Sequence, residues 1–150
     1  MKQVRRHFLK YSGVAGTLVA TGLWSGVVRA AWNKSAFESK AVADIMKSLG
    51  ATNPADSGDI AITAPDIAEN GAIVPIAVTS KIPNTQSIAI IAEKNPFPLA
   101  ANFNVSGGSD AYVSVRVKMG QTSNVRAIVK ADGKFYTAVK EVKVTVGGCG

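Results

Sequence analysis

The chain has 150 residues, with 17 Lys and Arg against 10 Asp and Glu (formal charge +7), 47% hydrophobic residues, one histidine and one cysteine. That inventory excludes cysteine-rich zinc and iron-sulfur sites. It also leaves length for one domain with its own core once a leader is removed, and not for two.

The first element is the leader, 1–30. Arg5, Arg6, His7, Phe8, Leu9 and Lys10 precede a weakly apolar stretch over 14–28 that is interrupted by Gly16, Thr17, Thr21, Gly22 and Ser25. This looks like a twin-arginine export signal, with Val4 where Ser or Thr commonly stands. Val28 and Ala30 suit cleavage after Ala30, and the stretch is too short and polar for a membrane span; a retained signal anchor is the alternative. The expected location is the periplasm, with no membrane contact after cleavage. Twin-arginine export carries folded proteins, alone or with a companion. Lys2, Arg5, Arg6, Lys10 and Arg29 leave with the signal, so the mature part has twelve basic and ten acidic residues. His7 leaves too, which removes Cys-His nucleophilic catalysis and histidine metal sites.

The mature domain is predicted over 31–146. Residues 33–49 read as one amphipathic helix: Ser35 and Glu38 stand at capping-box spacing and Gly50 follows the end. Phe37, Ala41, Ile45 and Leu49, with Val42 and Met46, form an apolar stripe to bury against the fold or a partner. Asn53-Pro54 and Ser57-Gly58 then break the chain. Strands are predicted at 60–63, 72–80, 87–93, 101–105, 111–119, 124–131, 134–139 and 140–146. Short apolar or alternating runs between turn residues mark an antiparallel, immunoglobulin-like β-sandwich. Val113, Val115 and Val117 alternate with Ser114, Arg116 and Lys118, giving one buried and one solvated face. Asp132-Gly133 is a tight hairpin signal. The runs at 72–78 and 88–92 lack alternation and are expected to be covered on both faces, by the sandwich and helix or by a second subunit. Pro75 marks an edge or a bulge, and an apolar edge suits a homo-oligomer. Val142, Val144 and Val146 share one face of the final strand.

The last element is the tail. Gly147, Gly148, Cys149 and Gly150 place the sole cysteine on a glycine arm, where missing Cβ atoms leave the backbone free and slender. From Val146 to Cys149 an extended chain reaches roughly 10 Å, enough to enter a narrow cleft. The alternatives are a frayed end with an incidental cysteine, or an intermolecular disulfide.

Charge is uneven along the mature chain: 31–110 holds five basic and eight acidic residues, 111–150 seven and two. Arg116, Lys118, Arg126, Lys130, Lys134, Lys140 and Lys143 either concentrate small anions and steer docking to acidic partners or form solvated strand faces. No nucleic-acid module, calcium loop or phosphate cradle is present. Asp56, Asp59, Asp66, Glu69, Asp110 and Asp132 sit in turn-like contexts, and no spacing marks an acid-base pair. The domain is therefore not expected to be an enzyme, nor to carry catalytic residues, a metal or a cofactor of its own. An unperturbed thiol has a pKa of about 8.5, so activation of Cys149 must come from a partner. The reading is a substrate carrier. A β-sandwich interaction module in which Cys149 forms a disulfide dimer is the competing one.

Several segments carry a family resemblance: Gly147-Gly148-Cys149-Gly150, Glu69-Asn70-Gly71-Ala72-Ile73-Val74-Pro75, Glu93-Lys94-Asn95-Pro96-Phe97-Pro98-Leu99 and Arg116-Val117-Lys118-Met119-Gly120. With the twin-arginine signal, they make the mature chain resemble SoxY, the cysteine-bearing subunit of the SoxYZ carrier of bacterial sulfur oxidation. The usual terminus there is GGCGG, one glycine longer. The resemblance implies a SoxZ partner and covalent attachment at Cys149. It implies oxidative joining of thiosulfate by the haem-containing SoxAX, release of sulfate by SoxB to leave a persulfide, and oxidation of the remaining sulfur by a sulfane dehydrogenase where one exists.

Overall fold

A computed structural model describes residues 33–146; the expected export signal at 1–30 and the expected arm, Gly147, Gly148, Cys149 and Gly150, lie outside the described residues. The expected single helix is two: α1 (Lys34–Glu38) and α2 (Val42–Leu49). The cause is tertiary. Ala36 and Ile45 are both fully buried, yet at about 3.6 residues per turn they would lie on opposite sides of a continuous helix. Extended backbone at Ser39 (φ −69°, ψ 138°) and Ala41 (φ −105°, ψ 134°) breaks the helix so that both face one sheet. The Ser35/Glu38 capping box does not form. Asn33 caps α1 instead, its Oδ1 accepting from the Ala36 N–H at 3.2 Å and from Ser35 Oγ at 2.8 Å, while Glu38 pairs with Lys34. Gly50 ends α2 in the left-handed region (φ 80°), as its position predicts.

The described residues then form β1 (Ala55–Asp56), β2 (Ile60–Thr63), β3 (Ile67–Ala68), β4 (Val74–Ser80), β5 (Thr85–Ala92), β6 (Leu99–Asn104), β7 (Tyr112–Val117), β8 (Ser123–Ala131) and β9 (Lys134–Val144). The larger sheet runs β1-β9-β8-β5-β6, with β3 also on β9, and the smaller runs β2-β4-β7. The architecture is the expected mainly β sandwich, with one departure. Both β1 and β3 pair with β9 in parallel, covering the edge that β8 leaves open. Two residues carry no periodicity, so these strands left no sequence signal. Between them the chain crosses to the other sheet as β2.

The inner faces meet in the main core: Val74, Ile76, Val78 and Val117 against Ile88, Ile90, Val125, Ala127, Val129 and Val142. The opposite face of the large sheet presents Ala89, Ile91, Leu99 and Ile128 to Ala36, Ile45 and Ala51. Coverage on both faces thus holds for β5. On β4 Val74, Ile76 and Val78 are buried while Pro75 is exposed and Ala77 half-exposed; the described helices pack only on the larger sheet, so of the two expected covers a second subunit is the one left for this face. Pro75 sits opposite Arg116 in unbroken register with β7. It lies beyond β2, which pairs with Ala77 through Ser80, so it occupies a local edge rather than a bulge. The strands expected at 134–139 and 140–146 are one, β9, since no turn residue separates Val139 from Lys140. Asp132 (φ 48°) and Gly133 (φ 74°) form the hairpin before it, with Ala131 opposite Lys134.

Candidate functional site

The last part of β9 is the base from which the Cys149 segment continues. Val142 is fully buried and Val144 packs against the core from its margin. Val146, expected to share that buried face, is instead exposed, because β9 ends at Val144. Backbone hydrogen bonds hold this stretch where side-chain burial stops. Lys143 N–H donates to Asp66 O at 3.0 Å, Thr145 N–H to Ala68 O at 3.1 Å, and Gly71 N–H to Val146 O at 2.9 Å. On the other side Thr122 Oγ1 accepts from Val144 N–H at 2.9 Å. The three successive amides of Lys143, Val144 and Thr145 and the carbonyl of Val146 are therefore all bonded, so the last described residue is fixed to the body of the sandwich.

Around it lies a rim of loops. Met119 N–H donates to Gly71 O at 2.7 Å, Asn95 Nδ2 to Lys118 O at 2.7 Å, and Lys94 N–H to Ser123 Oγ at 3.0 Å. The three internal stretches at 69–75, 93–99 and 116–120 are thereby brought together at the strand end. Sequence reading missed the ties themselves. Nothing in the sequence marked Thr122 as the partner of Val144.

The basic residues of the last third do not form one patch. Arg126 Nε donates to Glu93 Oε1 at 2.8 Å. Lys140 Nζ pairs with Asp66 at 3.0 Å and donates to Ala64 O. Lys130 lies 5.7 Å from the Phe135 ring, close enough for a cation–π contact. Lys118 is exposed at the rim, beside Lys94, which the sequence reading had not grouped with it.

Among the described residues no three of His, Cys, Asp and Glu cluster to hold a metal, and no helix is long and apolar enough to cross a membrane. A cleft of about 240 Å³, lined by Asn33, Ser48, Gln86, Asn102, Lys130 and Phe135, lies toward the β8–β9 turn. At about 3.3 Å per residue of β9 it is on the order of 35 Å from Val146. The base of the arm has the geometry of a fixed platform. What it offers is position.

The family model for sulfur oxidation protein SoxY matches residues 45–149. The solved structure of the sulfur carrier protein SoxY from Chlorobium limicola f thiosulfatophilum is 41% identical, covering 69% of this chain and 94% of its own, with a TM-score of 0.63. Superoxide reductase (neelaredoxin) from Ignicoccus hospitalis, in two structures, is 21% identical over 57% of this chain and 78% or 79% of its own, with TM-scores of 0.50 and 0.51; this likeness concerns the fold alone. No curated protein matches.

Proposed function

The chain belongs to the SoxY family of sulfur oxidation proteins, and from that premise we propose that it is a periplasmic carrier holding thiosulfate-derived sulfur covalently on Cys149. The observation that carries the reading is the pairing of one cysteine in the whole chain with its position three residues beyond Val146, which backbone hydrogen bonds hold to the sandwich. With three residues of chain, such a thiol has a reach of at most roughly 10 Å from a firm base. It can be loaded and unloaded by proteins that own the catalytic groups.

The chemistry balances around that sulfur. In loading, the Cys149 thiol and thiosulfate lose one proton and two electrons to a haem-containing partner of the SoxAX type, and an S–S bond forms to give a cysteine S-thiosulfonate. In unloading, a SoxB-type hydrolase adds water to the terminal sulfone, whose sulfur leaves as sulfate while a persulfide remains on Cys149. A sulfane dehydrogenase would oxidise that outer sulfur further. A SoxZ-type subunit would complete the carrier. Within this scheme the chain supplies the attachment atom, the glycines Gly147, Gly148 and Gly150 that let walls approach it, and the platform.

Intact-protein mass spectrometry of the protein from cells oxidising thiosulfate tests this directly. Adducts of thiosulfonate or sulfane mass on the C-terminal peptide are expected, and Cys149→Ser is expected to abolish thiosulfate oxidation. Free thiol alone, or unchanged oxidation by Cys149→Ser, would sink the proposal. A stable Cys149-dependent dimer persisting through turnover on a non-reducing gel would favour the disulfide module instead.

A further inference from the structure

The end of the sandwich that carries Val146 also displays large apolar side chains in water. Ile73 is 60% exposed, Phe97 55% and Val146 63%. They belong to one continuous rim: Ile73 precedes Val74, which pairs with Val117; the next residue, Lys118, accepts from Asn95; and Asn95 shares its turn with Phe97. Gly71 joins the same rim to Val146 and Met119. Exposed apolar groups gathered within a few residues of one another disfavour hydration and mark contact surfaces. The rim is also positive. Lys94 and Lys118 are exposed and take part in no ion pair among the described residues. Glu93, beside Lys94, is neutralised by Arg126 at 2.8 Å, which leaves Glu69 as the unpaired carboxylate of these loops.

Reach decides what meets this surface. A thiol roughly 10 Å from Val146 cannot enter a recessed active site unless the mouth of that site closes on the rim around Val146. We propose that Ile73, Phe97 and Val146, with Lys94 and Lys118, are a docking surface for enzymes whose active-site entrance carries an apolar collar flanked by carboxylates. This deepens the carrier reading and rests on it. The apolar groups supply the held contact, and the two lysines steer encounter and orientation, so their contribution falls with ionic strength. The occupant is a passing enzyme rather than a permanent subunit, because the surface adjoins the base of the segment that a carrier must free between steps.

The test uses the full carrier complex, loaded as the S-thiosulfonate, with the sulfate-releasing hydrolase. Phe97→Ser and the double change Lys94→Glu, Lys118→Glu alter exposed side chains, so circular dichroism and the rate of Cys149 alkylation by iodoacetamide should match the parent. Each is expected to raise KM roughly tenfold, the scale of one lost contact residue, with kcat within about twofold, and the lysine variant should lose the salt dependence of KM. KM within twofold of the parent in both variants, or a fall in kcat alone, overturns the proposal. So does loss of the companion subunit from the complex, which would assign the surface to that subunit. Failure of the carrier reading shows separately, in the parent protein, as absence of any adduct on Cys149.

Discussion

At Lys134, where β9 begins, the chain turns through Asp132 and Gly133, both in the left-handed region, and Asn84 Nδ2 donates to Asp132 Oδ2 at 3.2 Å. Lys130 lies over the Phe135 ring there, and the neighbouring 106–110 loop reads Ser-Gly-Gly-Ser-Asp. At Val146, where the described chain ends, loops are tied to one another by backbone and Asn95 hydrogen bonds, and Ile67, Ile73, Phe97 and Val146 stand in solvent. Tyr112 is the large exposed hydrophobic of the first end. The difference teaches where to look for contact. An end finished with polar turn residues is satisfied by water, whereas an end that keeps four large apolar groups in water gains free energy when something covers them.

The largest expected effect is at the base of the arm. Met119 is fully buried within the main core, and its N–H donates to Gly71 O, the same residue whose N–H holds Val146. Met119→Ala should cost about 2–5 kcal/mol in denaturant unfolding, as large-to-small core substitutions do. It should also speed amide exchange at Gly71 more than anywhere near Gly133. Equal acceleration at both ends would mean that the strand end is no special platform.

The hairpin end should respond to a different change, and without consequence for the thiol. Gly133 has φ +74° with open space where a Cβ would stand, so Gly133→Ala meets backbone strain alone, about 1–2 kcal/mol for an L-residue in that region. Thermal denaturation should register that cost while the alkylation rate of Cys149 stays at the parent value. A change in thiol reactivity would show that the two ends are coupled along β9, and would break the comparison.

How much of this was legible beforehand follows the range of the interactions. β2 was read at the bounds the structure gives, Ile60–Thr63, and Asp132-Gly133 announced its turn, because both signals are local. The unbroken apolar run of β5 foretold two covered faces. The similar run of β4 is covered by its own chain on one face only, where small residues such as Pro75 and Ala77 on the other face tolerate water. The helix break at Ser39 was hidden because it answers to the sheet that Ala36 and Ile45 both face. Of the site, the thiol and its glycines were plain in the sequence. The platform was not, because its ties join residues far apart in the chain: Thr122 with Val144, Ala68 with Thr145, Gly71 with Val146.

The smallest expected effect isolates one of those ties. Thr122 Oγ1 accepts the Val144 N–H at 2.9 Å in a partly buried setting, and Thr122→Val keeps the shape while removing the acceptor. Water reaches the site, so the cost should fall toward the low end for a lost hydrogen bond, about 0.5–1.5 kcal/mol, below that of Gly133→Ala. The telling readout is local. Val144 N–H should exchange faster while amides in the interior of β8 do not, since the Val142 pairing with Ser123 and the rest of the ladder are untouched. If Thr122→Val loosens Val144 and also raises the KM of the hydrolase toward the loaded carrier, with alkylation of Cys149 unchanged, then what the enzyme requires is a fixed base and not merely a reachable sulfur. If KM stays put while Val144 loosens, the glycine segment alone delivers the thiol and the platform serves only the fold.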